Sequence, residues 1–347
     1  MQVRSGVPLS GLTTLRLGGP ARSLVEATSA DELVDAVRSA DAAGEPVLLL
    51  GGGSNLVVGD DGFPGRVVLI RSRGIAVEAD GDTRTVTVEA GEPWDALVAR
   101  TVAEGWAGLE ALSGIPGLVG ATPVQNVGAY GQEVADTVSR VDVYDRETGS
   151  VLELDAAGCR FGYRDSLFKH TDRYVVLRVV LTLRAGDKSG PLRYAELARK
   201  VGDGDIGAPL VDVRAAVLEL RRSKGMVSDD ADPDTWSAGS FFTNPILTPA
   251  ALADFQKRLE PGLTYPSWPA DEGTKLSAAW LIERAGFGKG HGAGPVRISG
   301  KHTLALTHRG GGTAADLVAL AAEVRDGVEA RFGVRLRPEP RLVGLTL

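Results

Sequence analysis

Three consecutive glycines, Gly51 to Gly53, come directly after a short apolar run and precede Ser54 and Asn55. Glycines leave their backbone N–H groups accessible, because no side chain blocks the approach and positive φ angles cost little. Several N–H groups that converge on one point bind an anion. The spacing is not the Rossmann fingerprint, since Leu56 stands where its third glycine would be. A phosphate-binding loop and a simple turn fit this segment equally well.

A second glycine-rich segment covers residues 114–131. It has five glycines and two prolines within eighteen residues, which excludes a regular helix or strand, yet it is apolar and almost uncharged. We therefore expect it to be packed rather than exposed. Buried irregular backbone must have its polar groups hydrogen-bonded, and a bound ligand is one way to achieve this. A rigid structural loop is the alternative interpretation.

Three side chains have types suited to acid or anion chemistry. Arg164 lies among aromatic residues beside Asp165, which fits a buried ion pair and equally a guanidinium that binds a substrate carboxylate. Ser240 lies between a glycine and two phenylalanines, which would desolvate its hydroxyl, but no G-x-S-x-G elbow surrounds it. Glu339 stands between two prolines that would hold its backbone extended. This extended backbone could fix the position of the carboxylate, and an exposed C-terminal turn is the alternative interpretation.

The composition excludes several classes of protein. A formal net charge of −7 argues against a general nucleic-acid binder. The single cysteine, Cys159, excludes an internal disulfide and is most simply a small buried hydrophobic residue. The four histidines show no metal-ligand spacing, so we predict no metal site. Without a membrane-spanning run or a signal pattern, the sequence predicts a cytoplasmic protein with no membrane insertion. The acidic pI and the lack of an exposed amphipathic surplus favour a monomer.

The pattern around these residues predicts the elements that must position them. Ser29 and Glu32 form a capping-box pattern for a helix that ends near residue 43. Val47 to Leu50 is an apolar strand of the kind buried on both faces. An amphipathic helix over 316–332 has Thr313 as its expected N-cap. The pattern predicts an α+β protein in three lobes. Its further strands are expected at 24–27, 84–90, 141–144, 151–154 and 174–183, and its further helices from Pro93 and over 215–222, 250–258 and 277–285.

Five motifs of this chain resemble those of the UDP-N-acetylenolpyruvoylglucosamine reductase family in order and spacing. They are GGGSNLVV, GIPGLVGATPVQNVGAYGQE, FGYRDSLFK, AGSFFTNP and PEPR, and Tyr194 resembles the tyrosine loop of the type I members. The resemblance implies an α+β flavoprotein of three lobes. Two lobes, 1–71 with 333–347 and 72–222, would form a vanillyl-alcohol-oxidase-like (PCMH-type) FAD-binding unit. The third, 223–332, would be a C-terminal α+β lobe that binds the substrate.

The resemblance also implies a role for individual residues. Arg164 and Glu339 would polarise the substrate carboxylate, and Ser240 would protonate a carbanion. The residues implied to contact FAD are Gly51, Gly52, Gly53, Ser54, Asn55, Leu56, Ile115, Gly117, Gly120, Ala121, Gln125, Asn126, Gly128 and Ala129. Those implied to contact the UDP-sugar are Tyr163, Tyr194, Lys224, Asn244, Tyr265, Lys275 and His302.

The implied activity is reduction of UDP-N-acetylglucosamine enolpyruvate to UDP-N-acetylmuramate in peptidoglycan precursor synthesis, with FAD as cofactor and NADPH as reductant. Hydride would add to the terminal alkene carbon, and the charge on the neighbouring carbon requires a cation and an acid. An FAD-dependent oxidase of the same architecture is one alternative, and it would not need Arg164, Ser240 and Glu339. A non-catalytic protein that binds FAD or a UDP-sugar is another, and its reduced flavin would persist when substrate is added.

Overall fold

The computed structural model describes residues 1–202 and 207–347. Backbone contacts divide the chain into two compact units. The first unit contains residues 1–7, 21–52 and 64–227, and the second contains 8–20, 53–63 and 228–347. The change of unit after Val227 lies close to the predicted boundary after residue 222. The three-lobe division stays a prediction, because two units by contact do not test whether the first unit contains two lobes.

The described chain contains both helices and strands, and most strands lie in consecutive runs between the helices. The α-helices are α1 Ala30–Ala42, α2 Trp94–Ala103, α3 Ala195–Val201, α4 Leu210–Ser223, α5 Pro249–Lys257, α6 Ala278–Arg284 and α7 Ala314–Phe332. The strands up to residue 155 are β1 Val3–Arg4, β2 Val7–Pro8, β3 Pro20–Ala27, β4 Val47–Leu50, β5 Leu56–Val58, β6 Phe63–Ile70, β7 Ile75–Asp80, β8 Thr83–Glu89, β9 Trp106–Ala107, β10 Gly128–Ala129, β11 Gln132–Glu133, β12 Val138–Asp145 and β13 Ser150–Asp155. The later strands are β14 Tyr174–Ala185, β15 Ser237–Ser240, β16 Ile246–Leu247, β17 Ser267–Ala270, β18 Gly273–Leu276, β19 Val296–Ile298, β20 Ala305–His308 and β21 Arg341–Val343.

The first unit is built on two sheets. One has the order β1-β3-β6-β4, with β4 and β6 parallel, and the larger one has the antiparallel order β13-β12-β14-β8-β7. Helix α1 lies in an apolar core shared by both sheets, where Leu33 and Val37 pack with Val68 of β6 and Val175 of β14. A second core joins Trp94 of α2 and loop residues over 109–119 to the large sheet. The glycine-rich segment is therefore held against this sheet.

The second unit has three small sheets and one continuous core. Its sheets are β15-β20-β19, β16-β18-β17 and the parallel pair β5 and β21. Helix α7 supplies much of the core through Leu317, Leu320, Val324 and Val328. Phe241 and Phe242, which follow Ser240, are 1% exposed in the same core. These two aromatic anchors fix the position of the strand end that carries Ser240.

The elements predicted from the pattern are present, and the α+β prediction is confirmed. Ser29 is the N-cap of helix α1, as predicted. In the predicted capping box the Glu32 carboxylate would accept from the backbone N–H of Ser29, but it accepts from Thr28 N instead, at 2.7 Å. Helix α7 has a complete capping box between Thr313 and Asp316. Strand β4 is fully buried on one face only, with Val47 and Leu49 partly exposed.

Within the described ranges, which omit only 203–206, no helix combines the length and the apolar character needed to cross a membrane. In the same part of the chain, no three His, Cys, Asp or Glu residues form a group able to hold a metal ion. Cys159 is buried as predicted, and burial raises its thiol pKa to about 12. The thiol is therefore protonated at neutral pH and is not a nucleophile.

Candidate active site

Gly51 and Gly52, the part of the first glycine-rich segment that belongs to the first unit, lie beside the second segment. A methyl group at position 52 would meet Cα of Gly117 at 2.8 Å, and one at position 51 would meet the Leu118 side chain at 3.4 Å. Real Cβ atoms do not approach backbone as closely as the first of these distances, so only glycine permits this contact. The sequence predicted both segments as cofactor-binding, and the structure brings their backbones together.

The segment over 114–131 is packed, as its apolar composition predicts. Its backbone bonds to the end of β8 and the start of α2: Gly120 N donates to Ala90 O at 2.9 Å, Val119 N donates to Glu92 O at 2.9 Å, and Gly117 O accepts from Trp94 N at 3.0 Å. These bonds satisfy part of the buried backbone with protein groups alone. The segment is thus a rigid loop by itself, which suits a cradle for a ligand.

Five non-glycine residues of the described ranges have φ angles in the left-handed region. They are Arg16, Asn126, Tyr130, Arg160 and Arg164, with φ between 44° and 55°. Such angles cost free energy and persist where surrounding contacts enforce them, often at functional sites. Asn126 and Arg164 are predicted site residues, and Tyr130 lies in the glycine-rich segment. The strain therefore concentrates where the sequence places the site.

Asn126 joins separate parts of the first unit. Its side chain is buried, its Nδ2 donates to Glu133 Oε2 at 2.8 Å and to Gly162 O at 3.0 Å, and its Oδ1 accepts from Ala135 N at 3.1 Å. The amide thereby connects the glycine-rich segment to the loop that carries Arg164. Losing one partner would leave a buried polar group without a hydrogen bond, which lowers the free energy of unfolding by about 1–3 kcal/mol for each such group.

The guanidinium of Arg164 lies against the glycine-rich segment. Its Nη2 donates to Gly128 O at 2.5 Å, its Nη1 lies 3.5 Å from Asn126 O, and its Cζ lies 5.6 Å from the Tyr163 ring centroid. Lys169 Nζ donates to the Arg164 carbonyl at 2.5 Å. The guanidinium also has a carboxylate partner, since its Nη1 lies 3.9 Å from Glu133 Oε1. The structure therefore fits both interpretations of Arg164, an ion pair and a guanidinium that binds a substrate carboxylate.

Tyr194 and Lys224, both predicted to contact the UDP-sugar, belong to one cluster. The Tyr194 ring packs edge-on against Tyr130, with centroids 5.3 Å apart, and Lys224 Nζ lies 2.7 Å from Glu196 Oε2. Burial alone would lower the pKa of Lys224, but the Glu196 hydrogen bond and the nearby Tyr130 outweigh it and raise the pKa. The ammonium is therefore charged at neutral pH and suited to an anionic ligand. Tyr130 links this cluster to the glycine-rich segment, a role that sequence reasoning missed.

Gly53 begins the part of the site that belongs to the second unit. Its φ is +62°, and a methyl group there would meet Leu12 O at 2.0 Å, so only glycine fits. Two residues later, Asn55 O accepts from Arg341 N at 3.0 Å and Asn55 Nδ2 lies 3.5 Å from Glu339 O. The predicted cofactor loop is thus joined to the C-terminal motif that carries Glu339.

Ser240 and Glu339 are fixed by one run of backbone hydrogen bonds. Phe241 O accepts from Glu339 N at 2.8 Å, and Phe241 N donates to Leu304 O at 2.7 Å. The pairing of β15 with β20 is irregular between Ser237 and Ser240, and Gly239 has a φ of +76° in this interval. A bulge of this kind re-aims the following side chain. The AGSFF motif therefore sets the direction of the Ser240 hydroxyl.

His302 lies in the turn between β19 and β20 and reaches Ser240. The distance from His302 Nε2 to Ser240 Oγ is 3.4 Å, and both side chains are half-buried. Sequence reasoning predicted these residues for separate roles, substrate contact and proton donation. The structure brings them together.

Asn244 and Tyr265 support the second unit. Asn244 Oδ1 accepts from Ala278 N, at the start of α6, at 2.9 Å. The Tyr265 hydroxyl accepts from Gln256 Nε2 at 2.7 Å, and its ring packs edge-on against Phe255 with centroids 5.0 Å apart. Both residues thus have structural contacts, and their predicted contact with the UDP-sugar stays a prediction.

Lys275 lies in the middle of a row of side chains across β16, β18 and β17. Its cross-strand partners are Ile246 and Trp268, which are 38% and 46% exposed. Directly opposed residues on neighbouring strands share a face of the sheet. An exposed tryptophan beside a lysine is suited to stacking on a flat, anionic ligand. The sequence analysis did not predict Trp268 as a site residue. The available signal was a tryptophan in a polar, proline-containing stretch, where an aromatic side chain is expected to be exposed.

The predicted site residues divide between the two units. The first contains Gly51, Gly52, Ile115, Gly117, Gly120, Ala121, Gln125, Asn126, Gly128, Ala129, Tyr163, Arg164, Tyr194 and Lys224. The second contains Gly53, Ser54, Asn55, Leu56, Ser240, Asn244, Tyr265, Lys275, His302 and Glu339.

Comparisons with known proteins agree with these motifs. The family model for the C-terminal domain of UDP-N-acetylenolpyruvoylglucosamine reductase matches residues 232–343, and one described as an FAD binding domain matches residues 21–155. The chain is 61% identical over 346 residues to the UDP-N-acetylenolpyruvoylglucosamine reductase of Salinispora arenicola, covering 98% of this chain and 95% of the relative. It is 58% identical to that of Thermobifida fusca, covering 98% of both. A crystal structure of the reductase from Thermus caldophilus superposes with a TM-score of 0.68, at 27% identity and 99% coverage of both chains.

Proposed function

The chain belongs to the UDP-N-acetylenolpyruvoylglucosamine reductase family, and we propose that it reduces UDP-N-acetylglucosamine enolpyruvate to UDP-N-acetylmuramate with NADPH and FAD. The family resemblance drawn from the five sequence motifs is confirmed by relatives that match nearly the full length. The observation that carries the proposal for this chain is the backbone bonding that fixes the Ser240 and Glu339 segments to Phe241. A monomeric state and a cytoplasmic location stay predictions.

The residues of the two glycine-rich segments fit FAD. Gly52 and Gly117 allow the two loops to touch, and Asn126 locks the second loop to the Arg164 loop. Backbone N–H groups of residues 51–55 and of 114–131 would hold the pyrophosphate and line the isoalloxazine. When bound, FAD takes hydride from NADPH and supplies it to the alkene of the substrate.

The chain's own residues then stabilise the negative charge that forms on the substrate and supply the proton that removes it. Arg164, held against Gly128 O and Asn126 O, keeps a positive charge for the carboxylate next to the carbon that becomes a carbanion. Glu339 helps to polarise that carboxylate. Ser240 provides the proton. The bulge that contains Gly239 sets the direction of its hydroxyl. Lys224 and Lys275 would each offer an ammonium to the UDP-sugar.

The decisive test is anaerobic oxidation of NADPH by the purified protein, with and without UDP-N-acetylglucosamine enolpyruvate. Sustained oxidation only in the presence of this substrate supports the reductase. If NADPH reduces the flavin once and the substrate never reoxidises it, the proposal is wrong. Rapid reoxidation by oxygen alone would then identify an oxidase, and stable reduced flavin would identify a binding protein.

Gly52→Ala is expected to lower the FAD content of the purified protein. The added methyl group would lie 2.8 Å from Gly117 Cα, so the two glycine-rich loops must separate. Gly44→Ala is the control for glycine removal, because position 44 has a positive φ of 63° but nothing within 4 Å of the added methyl group. Flavin absorbance per protein measures the outcome. Equal FAD content in both variants would show that the close approach of the loops does not matter.

Trp268→Ala is expected to raise KM for the UDP-sugar about tenfold, with a smaller change in kcat, because a base stacked on an aromatic ring is worth about 1–3 kcal/mol. Steady-state kinetics at saturating NADPH measure both constants. Ser267→Ala is the comparison, because Ser267 is the exposed neighbour of Trp268 on β17 and its loss should leave KM unchanged. An unchanged KM in Trp268→Ala would show that the sugar nucleotide does not stack on Trp268.

A further inference from the structure

The contact between Ser240 and His302 assigns the histidine a role beyond substrate contact. Ser240 Oγ lies 3.4 Å from His302 Nε2. A serine hydroxyl is a weak acid, and after it has given up a proton it must regain one before the next turnover. Catalytic hydrogen bonds are often long before the substrate binds, so this distance is consistent with a functional pair.

We propose that His302 positions the hydroxyl of Ser240 and returns a proton to it in each catalytic cycle. The proposal rests on the reductase function given above and names a proton source for that reaction. Histidine is suited to this task because an imidazole can both give and take a proton near neutral pH. His302 thus acts through Ser240.

The fold fixes this pair before any ligand binds. His302 N donates to the hydroxyl of Ser299 at 3.3 Å, and Ser299 is fully buried. His302 O accepts from Ala305 N at 3.0 Å, and Ala305 is the cross-strand partner of Ser240. The turn that carries the imidazole is therefore bonded at both ends to the sheet that carries the serine.

The proton transfers balance without any additional reactant except water. Hydride addition leaves an electron pair on the carbon beside the carboxylate, and a new C–H bond forms there as the Oγ–H bond of Ser240 breaks. The Nε2–H bond of the His302 imidazolium breaks as a new Oγ–H bond forms, so that the serine is neutral again. The neutral imidazole then regains a proton from water.

Charged side chains of the packed elements surround this turn. Lys301 is paired with Asp232, and Asp234 is paired with Arg309 at 2.9 Å. Glu283 of α6 accepts from the hydroxyl of Thr303 at 2.5 Å. Glu339 follows on the segment bonded to Phe241. These are the charged groups on the elements that are bonded to the His302 turn.

The test compares His302→Gln and His302→Leu with the wild type across pH. Glutamine keeps an N–H donor for Ser240 but does not titrate, whereas leucine removes the donor at similar volume. His291→Gln is the matched control, because His291 pairs with Glu323 at 2.9 Å, away from Ser240. Steady-state oxidation of NADPH with substrate measures repeated turnover of the FAD-loaded enzymes. Stopped-flow absorbance measures flavin reduction by NADPH and reoxidation by substrate separately, and FAD content is measured for each variant.

Steady-state turnover of the wild type is expected to slow at high pH, where less imidazolium is available to return the proton. His302→Gln should lose this pH dependence and turn over about tenfold more slowly at neutral pH, His302→Leu should be slower still, and flavin reduction should be unchanged. Adding either change to Ser240→Ala should have no further effect. A retained pH dependence in His302→Gln, or an additive loss in the double variant, overturns the role of His302. Failure of the wild type to be reoxidised by substrate would instead refute the reductase function.

Discussion

Ser240→Ala is expected to leave flavin reduction by NADPH unchanged and to slow reoxidation by the enolpyruvyl substrate by about 10²–10⁴-fold. The reason is that the proton is needed only after hydride has reached the alkene, so the first half-reaction does not use the hydroxyl. The Ser240 backbone lies between a bulge and two buried phenylalanines, and alanine fits there without disturbing Phe241 or Phe242. Stopped-flow absorbance of the flavin measures each half-reaction.

Ser267→Ala serves as the control for this variant. Ser267 is an exposed residue of β17, opposite Leu276, and it belongs to none of the motifs of the site. Its loss should change neither half-reaction. If Ser240→Ala slowed both half-reactions equally, the serine would hold the fold or the cofactor in place, and the proton would come from another group.

Much of the local structure follows from the sequence because it depends on neighbouring residues. Thr313, three residues before Asp316, caps α7, and alternating apolar residues give the strands of the large sheet. The apolar, uncharged character of the 114–131 segment predicts its burial. The capping pattern at α1 shows the limit, since Glu32 bonds to Thr28 N rather than to the N-cap backbone. Neighbouring donors compete for a flexible carboxylate, and the pattern does not decide between them.

The parts of the site that the sequence does not predict depend on contacts between distant residues. Ser240 and His302 are 62 positions apart and meet only because β15 pairs with β20. Glu339 reaches the serine segment through a backbone bond to Phe241. The left-handed φ of Arg164 is likewise enforced from outside, by the bonds of its carbonyl and guanidinium. Motif resemblance supplied these residues as a set, whereas the structure shows what positions each of them.

Arg164→Met is the second variant with a large expected effect. It removes the positive charge while keeping an unbranched side chain, and we expect reoxidation by substrate to slow by about 10²–10³-fold. Arg164→Lys should recover only part of this loss, because one ammonium cannot bond to Gly128 O and Asn126 O as the planar guanidinium does and still face a carboxylate. Flavin reduction by NADPH, measured by stopped flow, should change little in either variant.

Arg160→Met provides a close control for Arg164→Met. Arg160 lies four residues earlier, is exposed and has a φ of 50°, against 52° for Arg164. The same substitution there removes one positive charge from a similarly strained backbone position, so any effect of strain or net charge should appear equally in both variants. The difference between them isolates the guanidinium that lies on the glycine-rich segment. Equal losses in both variants, or equal slowing of both half-reactions in Arg164→Met, would mean that Arg164 supports the loop and does not stabilise charge on the substrate.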